Sequence, residues 1–258
     1  MTTVLNHTWY LTGRRLRAVS RQAAFLVIAL VQPVIWLFLF GQLFRRVVDL
    51  PGFGGGSYLD YLIPGIVAMN AMSGSMWAGM GMMEEIERGT LNRFLVSPAS
   101  RIGLINANVV ELGVTNVVQA VIIMLLGWAG GARYPGGAAG PAVILLAAIL
   151  VGVVFGSLSN AIGMLVRERE AIIGLSTMLM LPLTFLSSAF MAPALMPDWM
   201  RKAAAANPLD WAVTAGREAM SADVDWGFVA IRCGGLLVLA AVCVALSVRT
   251  FRIYQKSV

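Results

Sequence analysis

Of the 258 residues, 59% are apolar and only 12% are charged, with a formal net charge of +6 and a mean hydropathy of +0.79. A soluble globular domain carries about 25% charged residues, so the composition excludes that class and indicates an integral membrane protein. The basic excess is spread over short connections with no basic, aromatic-interleaved domain, which argues against nucleic acid as a partner.

Residues 1–23 form a separate element. Leu5, Trp9, Leu16 and Val19 recur at helical spacing, while Arg14, Arg17 and Arg21 fall on the other face. That pattern predicts a helix lying in the inner headgroup layer; a basic leader that only enforces orientation is the alternative. About 20 residues at 1.5 Å rise cross the hydrocarbon core, and six apolar segments meet that length, at residues 24–44, 61–83, 103–129, 142–166, 171–190 and 226–248. The first is too long for a signal-peptide core and lacks a small-residue cleavage site, so it is expected to remain as a span. The chain therefore reads as one all-α domain over residues 1–258, with six transmembrane helices.

With the N-terminus in the cytoplasm, twelve Lys and Arg residues (Arg14, Arg15, Arg17, Arg21, Arg88, Arg93, Arg101, Arg167, Arg169, Arg249, Arg252, Lys256) fall on the inner side and six on the outer. That imbalance predicts cytoplasmic termini. Trp128, Tyr134, Trp199, Trp211 and Trp226 then sit near the outer interface as an aromatic belt.

Trp36 and Phe40 of the first span, with Trp77 and the methionines of the second, offer large adaptable apolar surface that would suit a route for greasy cargo, although plain packing explains the same spacing. The run FGGGS at 53–57 has no preceding strand and no lysine, so it reads as a flexible loop and not a phosphate cradle.

The second and third spans are joined by 18 residues between Met83 and Ile102, holding three glutamates and three arginines. A bundle turn commonly needs only about 2 to 8. Met83, Ile86, Thr90 and Phe94 share a helical face, Glu84 and Glu87 with Arg88 lie elsewhere on the surface, and Ser97-Pro98 supplies a stop. A short amphipathic helix over 84–100 is predicted to project into the cytosol. A solvated surface turn is the bland reading, against which the apolar Phe94, Leu95 and Val96 argue.

The third span carries Glu111, with Asn108, Thr115 and Gln119 on the same stripe, and such a face must point into protein or a wet cavity. It suits the inner part of a route for amphipathic cargo, or a hydrogen-bond network between helices. In the fourth span Gly152 and Gly156 form a GxxxG pair, continued by Asn160 and Gly163, which favours close helix approach. Over 191–222, Pro193, Pro197 and Pro208 cut the chain into pieces too short to span. Two short re-entrant helices in the outer leaflet, broken at Asn207-Pro208, would satisfy their own backbone. Cys233 and Cys243, ten residues apart on one helix, lie about 15 Å apart and cannot pair.

Glu87-Arg88-Gly89-Thr90-Leu91 followed by Val96-Ser97-Pro98 resembles the coupling-helix region of the type-2 ABC transporter permeases, in particular the daunorubicin-resistance exporter branch. The stretch around Asn207-Pro208-Leu209 and Arg217 resembles that family's segment before the last span. The family's charge pattern is closer to Glu-Arg-Glu, where this chain has Glu85-Ile86-Glu87-Arg88, which leaves the contacting carboxylate open.

The resemblance implies a permease whose cytoplasmic helix docks in a cleft of an ATPase subunit through Glu84, Glu87, Arg88, Gly89, Thr90, Phe94, Ser97 and Pro98. It implies an outer gate built from Trp199, Asn207, Pro208 and Trp211; the candidate substrate route past Trp36, Phe40, Trp77, Glu111, Thr115 and Gln119 rests on the apolar and polar residues read above. No GxxxxGK[ST] loop occurs and the only lysines are Lys202 and Lys256, so no cofactor is expected in this chain. ATP and magnesium belong to the partner ATPase. Two ATPase copies, a second permease chain (identical or related) and a hydrophobic drug or lipid substrate are the expected partners, in a bacterial inner membrane. An ion-coupled secondary transporter using Glu111 is the competing class, weakened by the absence of an internal repeat. An intramembrane enzyme is poorer still: His7 is the only histidine, and no paired membrane carboxylates or metal-ligand cluster are evident.

Overall fold

A computed structural model of the chain describes residues 23–49, 57–87, 101–166 and 168–256. Every regular element among them is helical. In chain order these are α1 (Ala23–Ile35), α2 (Tyr58–Met76), α3 (Ala78–Glu87), α4 (Arg101–Ala129), α5 (Ala139–Val166), α6 (Arg169–Phe185), α7 (Asp198–Ala206), α8 (Pro208–Ala219) and α9 (Trp226–Lys256). All but the last residue of the interfacial helix expected over 1–23, all but the last of the FGGGS loop at 53–57, and the stretch 88–100, which holds Arg88, Gly89, Thr90, Phe94, Ser97 and Pro98, lie outside the described residues.

Three helical stretches, Val110–Ala129, Ala139–Val166 and Trp226–Ile253, are long and apolar enough to cross a membrane. Together with the composition they make this a multi-pass membrane protein. The other apolar segments depart from single straight rods. After α1, which contains Pro33, the chain passes through a π-helical turn at Trp36–Phe40 and one further α-turn at Gly41–Leu43. The segment expected as one helix over 61–83 breaks at Trp77, between α2 and α3. There the amide of Met80 bonds the carbonyl of Trp77 (3.0 Å), and Ser159 of α5 enters the break: its hydroxyl donates to the Met76 carbonyl and accepts from the Gly79 amide at 3.0 Å. A side chain inserted in the helical ladder is an identified cause of a kink. The segment expected over 171–190 is helical only to Phe185, with Pro182 in its last turn, and the chain then turns through Ser187 and Ser188.

α5 is the central helix, buried along most of its length. The backbones it meets come close because its small residues allow it. A Cβ on Gly152 would collide with the Asn116 side chain and one on Gly156 would sit 2.6 Å from Leu112 of α4; one on Gly163 would sit 2.9 Å from the Gly79 carbonyl of α3. α9 lies on the outside of the bundle and leaves Ile231, Leu237 and Val238 exposed, as a lipid-facing surface requires.

Candidate substrate route and its two end junctions

At one end of the bundle, the end expected to face the cytoplasm, α3 ends at Glu87 and α6 begins at Arg169. The Arg169 guanidinium grips the Glu87 carboxylate with two bonds, Nε to Oε1 at 3.2 Å and Nη2 to Oε2 at 2.5 Å. This is the fork geometry that fixes orientation as well as proximity. Both side chains remain nearly half exposed. The hydrogen bond first and the charge of Glu87 second push the Arg169 pKa above its ordinary value. Glu84, one turn earlier, is partly buried beside this junction.

Above it, α1, α2 and α6 enclose a cavity of about 150 Å³. Its walls include Trp36 from the π-helical turn, Ile66 and Met69 from α2, Met180 and Thr184 from α6, and Phe190 beyond. Trp36 packs on Phe40 (centroids 4.4 Å apart) and on Phe190 (5.1 Å), extending an aromatic cluster through Phe44 to Tyr58. The lining is chiefly apolar, with Gln32, Asn70, Ser73 and Thr184 as polar points. This is the character expected of a pocket for an apolar molecule with a few polar groups.

Of the residues singled out for a substrate route, Trp36 lines the cavity and Phe40 backs it, whereas Trp77, Glu111, Thr115 and Gln119 are not among its lining residues. Trp77 is 41% exposed at the α2–α3 break. Gln119 is buried and accepts a 2.8 Å bond from the Asn70 side chain, while Asn116, buried one turn earlier, donates to Ser75 Oγ at 3.1 Å. The polar stripe of α4 thus meets a matching stripe of α2, and Asn70 belongs both to that seam and to the cavity wall.

At the opposite end of the bundle the chain between α6 and α7 is irregular apart from a 3-10 turn at Pro193–Leu195, so its backbone carbonyls need partners. Side chains of α2 and α8 supply them. The Asn207 amide donates to the carbonyls of Leu183 (2.6 Å) and Leu186 (2.9 Å), which a terminating helix leaves open. Its Oδ1 caps α8 by accepting from the Leu209 amide at 2.9 Å, with Pro208 as the first helical residue. Asp210 accepts from the Ser188 amide (2.7 Å) and hydroxyl (2.5 Å). Arg217 donates to the carbonyls of Ser188 (2.8 Å), Ala189 (3.3 Å) and Tyr61 (3.3 Å), and its guanidinium lies 3.4 Å from the Tyr61 ring centroid. Tyr61 and Tyr58 complete the set, donating to the carbonyls of Ser188 (3.0 Å) and Phe190 (2.8 Å).

Among the residues proposed for an outer gate, Asn207, Pro208 and Trp211 come together at the α7–α8 junction. There the Trp211 indole donates to the Ala205 carbonyl at 2.7 Å and its ring lies against Gly235 of α9. Trp199 stands apart at the start of α7, 63% exposed. Ser188 and Asp210 were not singled out in the sequence. Asp210 and Arg217 lie seven residues apart, two turns along one face of α8, and that spacing of opposite charges is the signal that marks the cluster.

The arrangement is a helical membrane body with a lateral apolar cavity and tied connections at both ends, and the comparisons bear on what it serves. The profile of the family described as ABC-2 type transporter matches residues 6–221. The chain belongs to the ABC-2 type transporter family. It is 28% identical over 257 residues to the daunorubicin resistance ABC transporter permease protein DrrB1 of Streptomyces coeruleorubidus, covering 96% of this chain and 85% of that one. It is also similar to the putative transport permeases ycf38 of Cyanophora paradoxa (27% over 216 residues, 81% and 72% of the two chains) and Porphyra purpurea (29% over 219 residues, 84% and 75%). Within the ABC-2 family this chain is a membrane transport permease, with an apolar cavity between α1, α2 and α6.

Proposed function

We propose that the chain is the membrane subunit of an ATP-driven exporter that moves hydrophobic or amphipathic molecules out of a bacterial cell through its inner membrane. The observation that carries this reading is the similarity to a daunorubicin resistance permease along 96% of the chain. The absence of any GxxxxGK[ST] loop in the sequence adds that hydrolysis belongs to another polypeptide. In this reading the six apolar segments all span and both termini are cytoplasmic. Two copies, or this chain with a related one, combine with two ATPase subunits that hold ATP and magnesium.

The helix predicted over 84–100 is the docking element, and nucleotide-driven closure of the ATPases displaces it. The outer hairpin of α7 and α8, with Trp199, Asn207, Pro208 and Trp211, closes the route on the far side. Cargo enters the apolar cavity beside Trp36 from the bilayer, where its greasy part is already concentrated; Asn70, Ser73 and Thr184 offer hydrogen bonds to its polar part. Glu111 and Thr115 border the inner part of the route, and Gln119 reaches it through its bond with Asn70 of the cavity wall.

The test is co-purification in nanodiscs with the ATPase encoded beside the gene, followed by ATP-dependent accumulation of daunorubicin in inside-out vesicles. A stoichiometric complex with nucleotide-dependent uptake is expected. No ATPase partner, with uptake driven by a proton gradient and lost in Glu111→Gln, would replace the reading with ion-coupled transport.

A further inference from the structure

We propose that Arg169 is a positioning residue for energy coupling: through its forked bond to Glu87 it makes α6 the element that carries displacement from the cytoplasmic docking region to the cavity wall. The inference rests on the exporter reading above and adds to it the element that moves.

Three observations lead here. The first is the junction itself, since α3 ends within the segment read as the docking region and its last residue is held by the first residue of α6. A two-point grip transmits orientation, which a single point charge does not. The second is that α6 is sparsely packed, with only Ile172 and Ser176 buried in its 17 residues. Met178, Leu181 and Phe185 are exposed at 72%, 50% and 63%, so little along its length opposes movement. The third is that this same helix presents Met180, Leu181, Thr184 and Phe185 to the cavity. A shift at Arg169 therefore changes the shape of the candidate cargo site without passing through the densely packed α5. An ion pair with both partners nearly half exposed contributes little to folding, which leaves its directional grip as the property that matters.

The experiment uses the complex with its ATPase in nanodiscs, with Cys233→Ser and Cys243→Ala removing the native thiols and Thr184→Cys reporting on the cavity wall. The rate of maleimide labelling is compared before and after vanadate trapping of ATP, a readout that needs no cargo. In the otherwise native chain trapping is expected to change the rate by about fivefold or more, the lower end of typical coupling between sites. Glu87→Arg and Arg169→Glu are each expected to abolish the change while hydrolysis continues, and Arg169→Lys, which keeps the charge and loses the fork, to reduce it. The double swap is expected to restore most of it.

A double swap as defective as either single variant, with the ATPase still bound, overturns the proposal. So does Arg169→Glu with an undiminished response. Loss of ATPase binding in Glu87→Arg that the swap does not rescue assigns Glu87 to the ATPase surface, and overturns the role of Arg169 while leaving the exporter intact. A native chain that binds no ATPase overturns the exporter reading and this inference with it.

Discussion

The two ends of α6 are fastened in opposite ways. At its outer end and in the turn that follows, five side chains from two other helices satisfy the backbone: Asn207, Asp210, Arg217, Tyr58 and Tyr61, around a buried Ser188. At its inner end, among the described residues, the Glu87–Arg169 ion pair ties it to α3, with both side chains nearly half exposed. Irregular backbone at membrane depth persists only where its polar groups are matched, so the outer network is a condition of folding. The inner pair meets no such requirement, and its position next to the proposed docking element fits a role in use more than in stability.

The comparison makes graded predictions. The largest effect is expected at the centre of the outer network: Arg217→Ala takes the guanidinium donors from the Ser188, Ala189 and Tyr61 carbonyls, of which Ser188 keeps the Tyr61 hydroxyl, and removes a favourable charge near Asp210; it should lower stability by roughly 3 kcal/mol. Thermal unfolding in detergent would show this, and a shift too small to resolve would mean the network is redundant. Next comes the helix seam that supports both ends. Gly163→Val places a methyl-bearing carbon against the Gly79 backbone, and overpacking of this kind costs about 1 to 3 kcal/mol. Asn207→Ala removes the α8 cap and two carbonyl partners, for about 1 to 2 kcal/mol in the same assay. The smallest stability effect belongs to Arg169→Gln, which should not shift the melting temperature measurably yet should cut ATP-driven transport.

The coarse architecture was legible in the sequence because hydropathy over 20 residues is a strong signal, and the family because its motifs are linear. Gly152, Gly156 and Gly163 were readable for a similar reason: a small residue permits backbone contact whichever helix arrives. What escaped were pairings that depend on rotational register between helices. Gln119 was marked as polar, but its partner Asn70 lies on another helix and carries no distinguishing context. Neither did Asn116, which bonds Ser75. The break at Trp77 was hidden because its cause, the hydroxyl of Ser159, is 80 residues distant from the Gly79 amide that it accepts. Glu87 was read as facing a partner protein, since no spacing rule connects it to Arg169 across 82 residues.

The most direct test of the account pairs two readings on one variant. For Arg169→Gln, in complex with the ATPase, the unfolding midpoint and the vanadate-induced change in Thr184→Cys labelling are measured side by side. The account predicts a native midpoint with the labelling change lost. A lowered midpoint with the labelling change retained would make the inner pair a structural tie like the outer one, and contradict it.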